Sequence, residues 1–143
     1  MQTKRQAPSL ASQLRIAVAR TARTLRREAG GGLSPTSAAA LATIDRNGSL
    51  TPSELATRER IQRPTATRLI ANLEAAGLIE RMADPADQRS CLLSLTPEGT
   101  ETLHDIRTRK DAFLADRLKG LSAEDRATLR RAAELLEKLV DEA

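Results

Sequence analysis

The sequence predicts a mainly α-helical fold with one small β-hairpin. Three observations carry that expectation. Five of the six prolines and most of the seven glycines stand where helix boundaries belong. Apolar residues recur at helical spacing in segment after segment, and only two short adjoining runs switch to a strand-like pattern. Phe113 is the single aromatic among 143 residues, which disfavours sheet-rich sandwiches and barrels, whose strands favour aromatic and β-branched side chains.

The first helix opens after Pro8-Ser9 and stops at Gly30-Gly31-Gly32, with Leu10, Leu14, Ala17, Val18, Thr21 and Leu25 on one stripe. The second starts with Ser34 as cap and Pro35 at the first helical position, and ends at the turn pair Asn47-Gly48. The third starts at Thr51-Pro52-Ser53-Glu54, a capping box in which hydroxyl and carboxylate satisfy each other's backbone N–H groups, and ends near Arg60. The fourth runs from Arg63-Pro64 to Gly77. Leu78 to Met82 and Cys91 to Leu95 read as strands around the polar loop Ala83 to Ser90, so as a hairpin with a long tip. The fifth helix begins at Thr96-Pro97-Glu98, carries Leu103, Ile106, Phe113, Leu114 and Leu118, and is stopped by Gly120. The sixth begins at Ser122, with Asp125 three residues on, and carries Leu129, Ala132, Ala133, Leu136, Leu139 and Val140.

The first, fifth and sixth helices are each about 20 residues, or ~30 Å, long. Their apolar faces exceed what a small central unit can cover, and uncovered faces seek another chain. A homodimer is therefore expected in preference to a monomer that folds its ends back on itself. The expected division is a helical dimerisation region, residues 9–29 and 97–142, around a central unit, residues 33–96.

Composition removes several function classes. One Cys excludes an intramolecular disulfide framework and a Cys-based zinc site, and one His leaves little for histidine catalysis or a multi-His metal site. No nucleophile–base pair, phosphate-cradling loop or metal cluster is visible, so no enzyme, cofactor or metal is expected. The lack of aromatic platforms disfavours binding of single strands by stacking. The longest apolar runs fall far short of the ~20 residues of a membrane span. The Arg-rich start reads as an amphipathic helix and not as a transit peptide, and a cytoplasmic, reduced protein without a membrane partner is expected. Net charge is +6 over residues 1–29, 0 over 30–95 and −2 over 96–143. The N-terminal arginines Arg15, Arg20, Arg23, Arg26 and Arg27 read as a solvated helix face.

The central stretch carries the functional signal. The third and fourth helices meet at a short turn around Ile61-Gln62-Arg63, which is helix-turn-helix spacing. In the fourth helix Ala66, Leu69, Ile70 and Leu73 form a buried stripe. The opposite face carries Thr65, Arg68 and Asn72, with Arg63, Pro64 and Thr67 near the start. Thr and Arg can meet base edges or phosphate oxygens, and a helix N-terminus offers N–H groups to phosphate. From Arg58 to Arg68 four arginines face one acid, Glu59, a local charge of +3. The hairpin that follows supplies a wing with Arg89 at its tip. The order helix-turn-helix then ribbon, with arginine at both docking elements, predicts a winged helix-turn-helix for double-stranded DNA.

At these residues the chain resembles the MarR-type winged helix-turn-helix regulators of bacteria and archaea. The resemblance is carried by Leu55-Ala56, by Arg63-Pro64-Thr65-Ala66-Thr67-Arg68-Leu69-Ile70 with Leu73-Glu74, and by Gly77-Leu78-Ile79-Glu80-Arg81. It continues through Asp84, the pair Asp87 and Arg89, and Leu95-Thr96-Pro97-Glu98-Gly99, and it spans roughly residues 9–142. It implies a homodimer on pseudo-palindromic DNA, with the fourth helix in the major groove and Arg89 in the minor groove. It implies a repressor, many members being released by small, often aromatic, organic anions bound between dimer part and DNA-binding lobe. Asp87 would orient Arg89 or pair with a nearby Arg. Arg81 reads equally as a phosphate contact or as a solvated strand residue supporting the wing. Redox-sensing members use a Cys near the N-terminus, and residues 1–30 contain none. Cys91 reads as a small core residue and His104 as a helix-surface or interface residue. The scarcity of aromatics leaves the ligand pocket undefined, with an aliphatic ligand or none as the alternatives. Two other classes compete: an architectural DNA-binding protein of low specificity, and a winged-helix adaptor for protein partners.

Overall fold

The structure, a computed structural model, describes residues 6–29 and 32–141. Its elements are α1 (Leu10–Ala29), α2 (Pro35–Asn47), α3 (Pro52–Glu59), α4 (Arg63–Ala75), β1 (Ile79–Ala83), β2 (Cys91–Leu95), α5 (Pro97–Leu118) and α6 (Ala123–Asp141). The mainly α fold with one hairpin is the fold expected from sequence. Gly30 and Gly31, expected to stop the first helix, lie outside the described residues. The first strand begins one residue later than expected and the fourth helix ends at Ala75, because Gly77, at φ 75°, already belongs to the turn that starts the ribbon.

Two compact units make up the chain: Ala29–Thr108, and Met1–Glu28 with Arg109–Ala143. In the first, capping chemistry sets the boundaries. Ser37 donates its backbone N–H to the Ser34 hydroxyl at 3.1 Å, and Gly48 closes α2 at φ 75°. Glu54 donates its N–H to the Thr51 hydroxyl at 3.1 Å, and Thr51 donates to the Glu54 carboxylate at 3.4 Å, so the capping box forms in full. Arg60 ends α3 in the left-handed region, at φ 54°, which costs a non-glycine residue ~1 kcal/mol. That conformation lets Ile61 donate its N–H to the Ala56 carbonyl at 3.0 Å and swings the chain into α4.

The apolar stripes of α2, α3 and α4 converge with the ribbon on a closed core. Leu41, Ile44, Leu50, Leu55, Ile70, Leu73 and Leu93 are its largest fully buried side chains. β1 and β2 pair antiparallel from Ile79↔Leu95 to Ala83↔Cys91. The middle of β2 is fastened by a bridge between Leu93 and Leu50, with Leu93 donating at 2.8 Å and Leu50 at 3.2 Å. Thr96 ties the start of α5 to the turn before β1. Its hydroxyl donates to the Gly77 carbonyl at 2.6 Å, accepts the Gly99 N–H at 3.0 Å, and its own N–H reaches the Leu78 carbonyl at 3.1 Å. A Cβ on Gly99 would overlap the Leu78 carbonyl oxygen, so this close approach admits only glycine. The Leu-Thr-Pro-Glu-Gly segment is thus architectural.

The other unit is different. α6 buries no residue, and Leu10, Leu139 and Val140 are exposed at 70%, 64% and 70%. Within this unit α1 and the second half of α5 line an open groove of about 770 Å³, with Ile16, Ala17, Leu25, Phe113 and Leu114 as its apolar walls and Arg20 and Arg117 at its edges. The Arg117 guanidinium stacks over the Phe113 ring at 4.9 Å. No described helix is long and apolar enough to cross a membrane.

Candidate nucleic-acid interface

In α4 the buried residues are Ala66, Leu69, Ile70 and Leu73. At ~100° per residue, Arg68 and Ala71 stand opposite that stripe, Thr65 and Asn72 on one flank and Thr67 on the other. Arg63, Pro64, Thr65, Thr67, Arg68 and Asn72 are all exposed. The structure therefore brings the six expected helix residues onto one open surface at the start and outer face of α4.

The N-terminus of α4 is unlike the others. Ser9, Ser34, Thr51, Thr96 and Ser122 each accept a backbone N–H at the start of their helices. Gln62, which precedes α4, makes no side-chain cap bond, and no acid stands in the first turn. Pro64 has no N–H, and the first intrahelical bond comes from Ala66 to Gln62. The N–H groups of Arg63 and Thr65 thus face outward with the positive end of the helix dipole, and among the described residues the Arg63 and Arg68 guanidiniums have no protein partner. Thr67 donates its hydroxyl to the Arg63 carbonyl at 3.0 Å, which leaves its oxygen as an acceptor and its methyl as an apolar contact. Glu59, the acid among these arginines, is turned inward and accepts the hydroxyl of buried Thr43.

The wing tip is folded by two aspartates. Ala86 donates its N–H to Asp84 Oδ1 at 2.9 Å, and Arg89 donates its N–H to Asp87 Oδ1 at 2.9 Å. Asp87 therefore meets the backbone of Arg89 and leaves its exposed guanidinium unpaired among the described residues. Arg81 points elsewhere: its Nε–H donates to Glu74 Oε1 at 2.7 Å. That hydrogen bond, with the negative charge behind it and the neighbouring Cys91 thiol, holds the Arg81 guanidinium above its ordinary value against a smaller opposing effect of burial. Arg81 is thus paired with Glu74 and not freely solvated, while its side chain stays 44% exposed. Cys91 is half-buried and packs against the core, and His104 is exposed on α5.

Sequence reasoning named Glu74, Glu59 and Asp84 but missed their partners, Arg81, Thr43 and the Ala86 backbone. For Glu74 the signal was two opposite charges on either side of Gly77, which a helix-to-strand reversal folds together. No local pattern marks Thr43 and Glu59, sixteen residues apart.

The family model described as MarR family matches residues 33–91. An HTH-type transcriptional regulator of Mycobacterium tuberculosis is 40% identical over 93% of this chain and 94% of its own length. The crystal structure of a Pseudomonas aeruginosa protein superposes with a TM-score of 0.82 at 36% identity, covering 92% of this chain and 94% of that one. A mutant MarR from E. coli, crystallised in complex with operator DNA, matches with a TM-score of 0.64 at 25% identity, covering 91% and 92% of the two chains.

Proposed function

The chain belongs to the MarR family of transcriptional regulators, and from that premise we propose that it is a sequence-specific repressor that binds double-stranded operator DNA as a homodimer. The observation that carries this reading is the start of α4, where unpaired Arg63 and Arg68 flank a helix N-terminus that no side chain caps. Its free N–H groups take phosphate, and Thr65, Thr67, Arg68 and Asn72 are placed to meet major-groove edges. Arg89, on a tip too narrow to read the major groove, suits a narrow A·T-rich minor groove. The exposed apolar faces of α1 and α6 support pairing with a second copy, which would set two α4 helices about one helical turn, ~34 Å, apart on pseudo-palindromic DNA.

Selection of bound duplexes from a random pool tests the reading. A two-fold symmetric motif is expected, and absence of any enriched sequence overturns it. Arg89→Ala is expected to weaken operator binding with the half-site preference intact, and to lower the salt slope by about one unit for each phosphate that Arg89 neutralises. A small organic ligand that prefers the DNA-incompetent shape would release the operator, with a coupling of ~1–3 kcal/mol. A thermal-shift and operator-release screen of organic anions and hydrophobic compounds tests that. If no compound shifts operator affinity, the protein is a constitutive regulator.

A further inference from the structure

We propose that Glu74 and Arg81 form a positioning device that ties the wing to the recognition helix, so that the tip residue Arg89 and the outer face of α4 engage DNA in register. The proposal rests on the operator-binding reading above.

Glu74 stands in the last turn of α4, one residue before its end at Ala75, and no basic residue shares that turn. A carboxylate there meets the negative end of the helix dipole, so the helix itself gives no reason for it. Its compensation comes from the wing, as the 2.7 Å bond from Arg81. Arg81 lies opposite fully buried Leu93 on the ribbon, so the ion pair is made two residues beyond Ile79, on the strand that is exposed from Glu80 onward while β2 still packs on the core. Among the described residues, side-chain hydrogen bonds farther toward the tip all stay within the wing: Ala86 to Asp84, Arg89 to Asp87, and Ser90 to the Cys91 carbonyl. The ribbon is therefore held at one rung on both strands, β2 by the Leu50–Leu93 bridge and β1 by the ion pair with α4; beyond that rung Cys91 packs against the core, and the tip has no side-chain hydrogen bond to the rest of the unit among the described residues. From Arg81 to the tip is about four residues of strand rise, ~13 Å, a lever on which a small rotation at the base displaces Arg89 by ångströms.

The pair is half-open to solvent, with side-chain exposures of 44% for Arg81 and 33% for Glu74. Ion pairs of that exposure add little to global stability. Its effect should appear in DNA binding, and specifically in how much Arg89 contributes.

The experiment measures affinity for the selected operator in the full-length protein, for wild type and Glu74→Gln, each with and without Arg89→Ala, and for the swap Glu74→Arg/Arg81→Glu with and without Arg89→Ala. Glu74→Gln is expected to weaken binding about threefold to tenfold, with the thermal midpoint moved by only a few degrees. The loss from Arg89→Ala is expected to shrink in the Glu74→Gln background, because interactions joined through one element are not additive, and to recover in the swap. A loss from Arg89→Ala that is as large in Glu74→Gln as in wild type overturns the proposal, as does a swap that recovers none of it. If the wild type itself enriches no duplex, the operator-binding reading fails first and this proposal with it. An operator-binding wild type with strictly additive variants removes this proposal alone.

Discussion

The unit Ala29–Thr108 and the terminal helices solve the same problem in opposite ways. The winged unit closes its core within one chain: Leu41, Ile44, Leu55 and Leu93 are fully sequestered. The terminal unit has equally strong apolar stripes and leaves them open, with Val140 at 70% exposure and no buried residue anywhere in α6. The difference lies in shape and not in composition. Three short helices and a ribbon enclose a volume, whereas long helices of one chain present more apolar face than their neighbours can cover. One unit is built to be complete, and the other, on the reading proposed above, is completed by a second copy.

That contrast can be broken at either end. The largest effect is expected at the closed core. Leu41→Ala should cost ~3–4 kcal/mol, read by urea unfolding, and the loss should not depend on protein concentration. At the open end, Leu136→Glu should cost ~2–3 kcal/mol of association by placing a charge in the seam. Light scattering at micromolar concentration should find the wild type near twice 15.5 kDa and the variant near that value. A wild type that is monomeric and well folded would show that the terminal unit needs no partner. Arg68→Ala, outside both cores, should leave stability unchanged, weaken operator binding by ~2 kcal/mol and relax base preference within each half-site. If base preference survives, the outer face of α4 does not read the groove. The smallest effect is Thr51→Ala, which removes one half of the α3 capping box and should cost ~1 kcal/mol of winged-unit stability, measured by thermal unfolding.

Legibility followed the same divide between local and distant. Ser34, Thr51, Thr96 and Ser122 could be read as helix starts because a cap acts over three residues of one chain segment. The stripe Ala66, Leu69, Ile70 and Leu73 was readable because helical periodicity alone places it on one face. Burial in the terminal unit was not readable in this way. Periodicity says which side of α1 or α6 is apolar, not what covers it.

The order of elements, most helix starts and the arginine-bearing face of α4 could be read along the chain, since each depends on local spacing. What individual charges do was set by the folded backbone. Arg81 meets Glu74 across the turn at Gly77, Asp87 holds the backbone of Arg89 and not its guanidinium, and Glu59 turns in to Thr43. A side chain long enough to reach several partners takes its role from where the folded backbone sets its Cα, and no spacing rule along one dimension contains that.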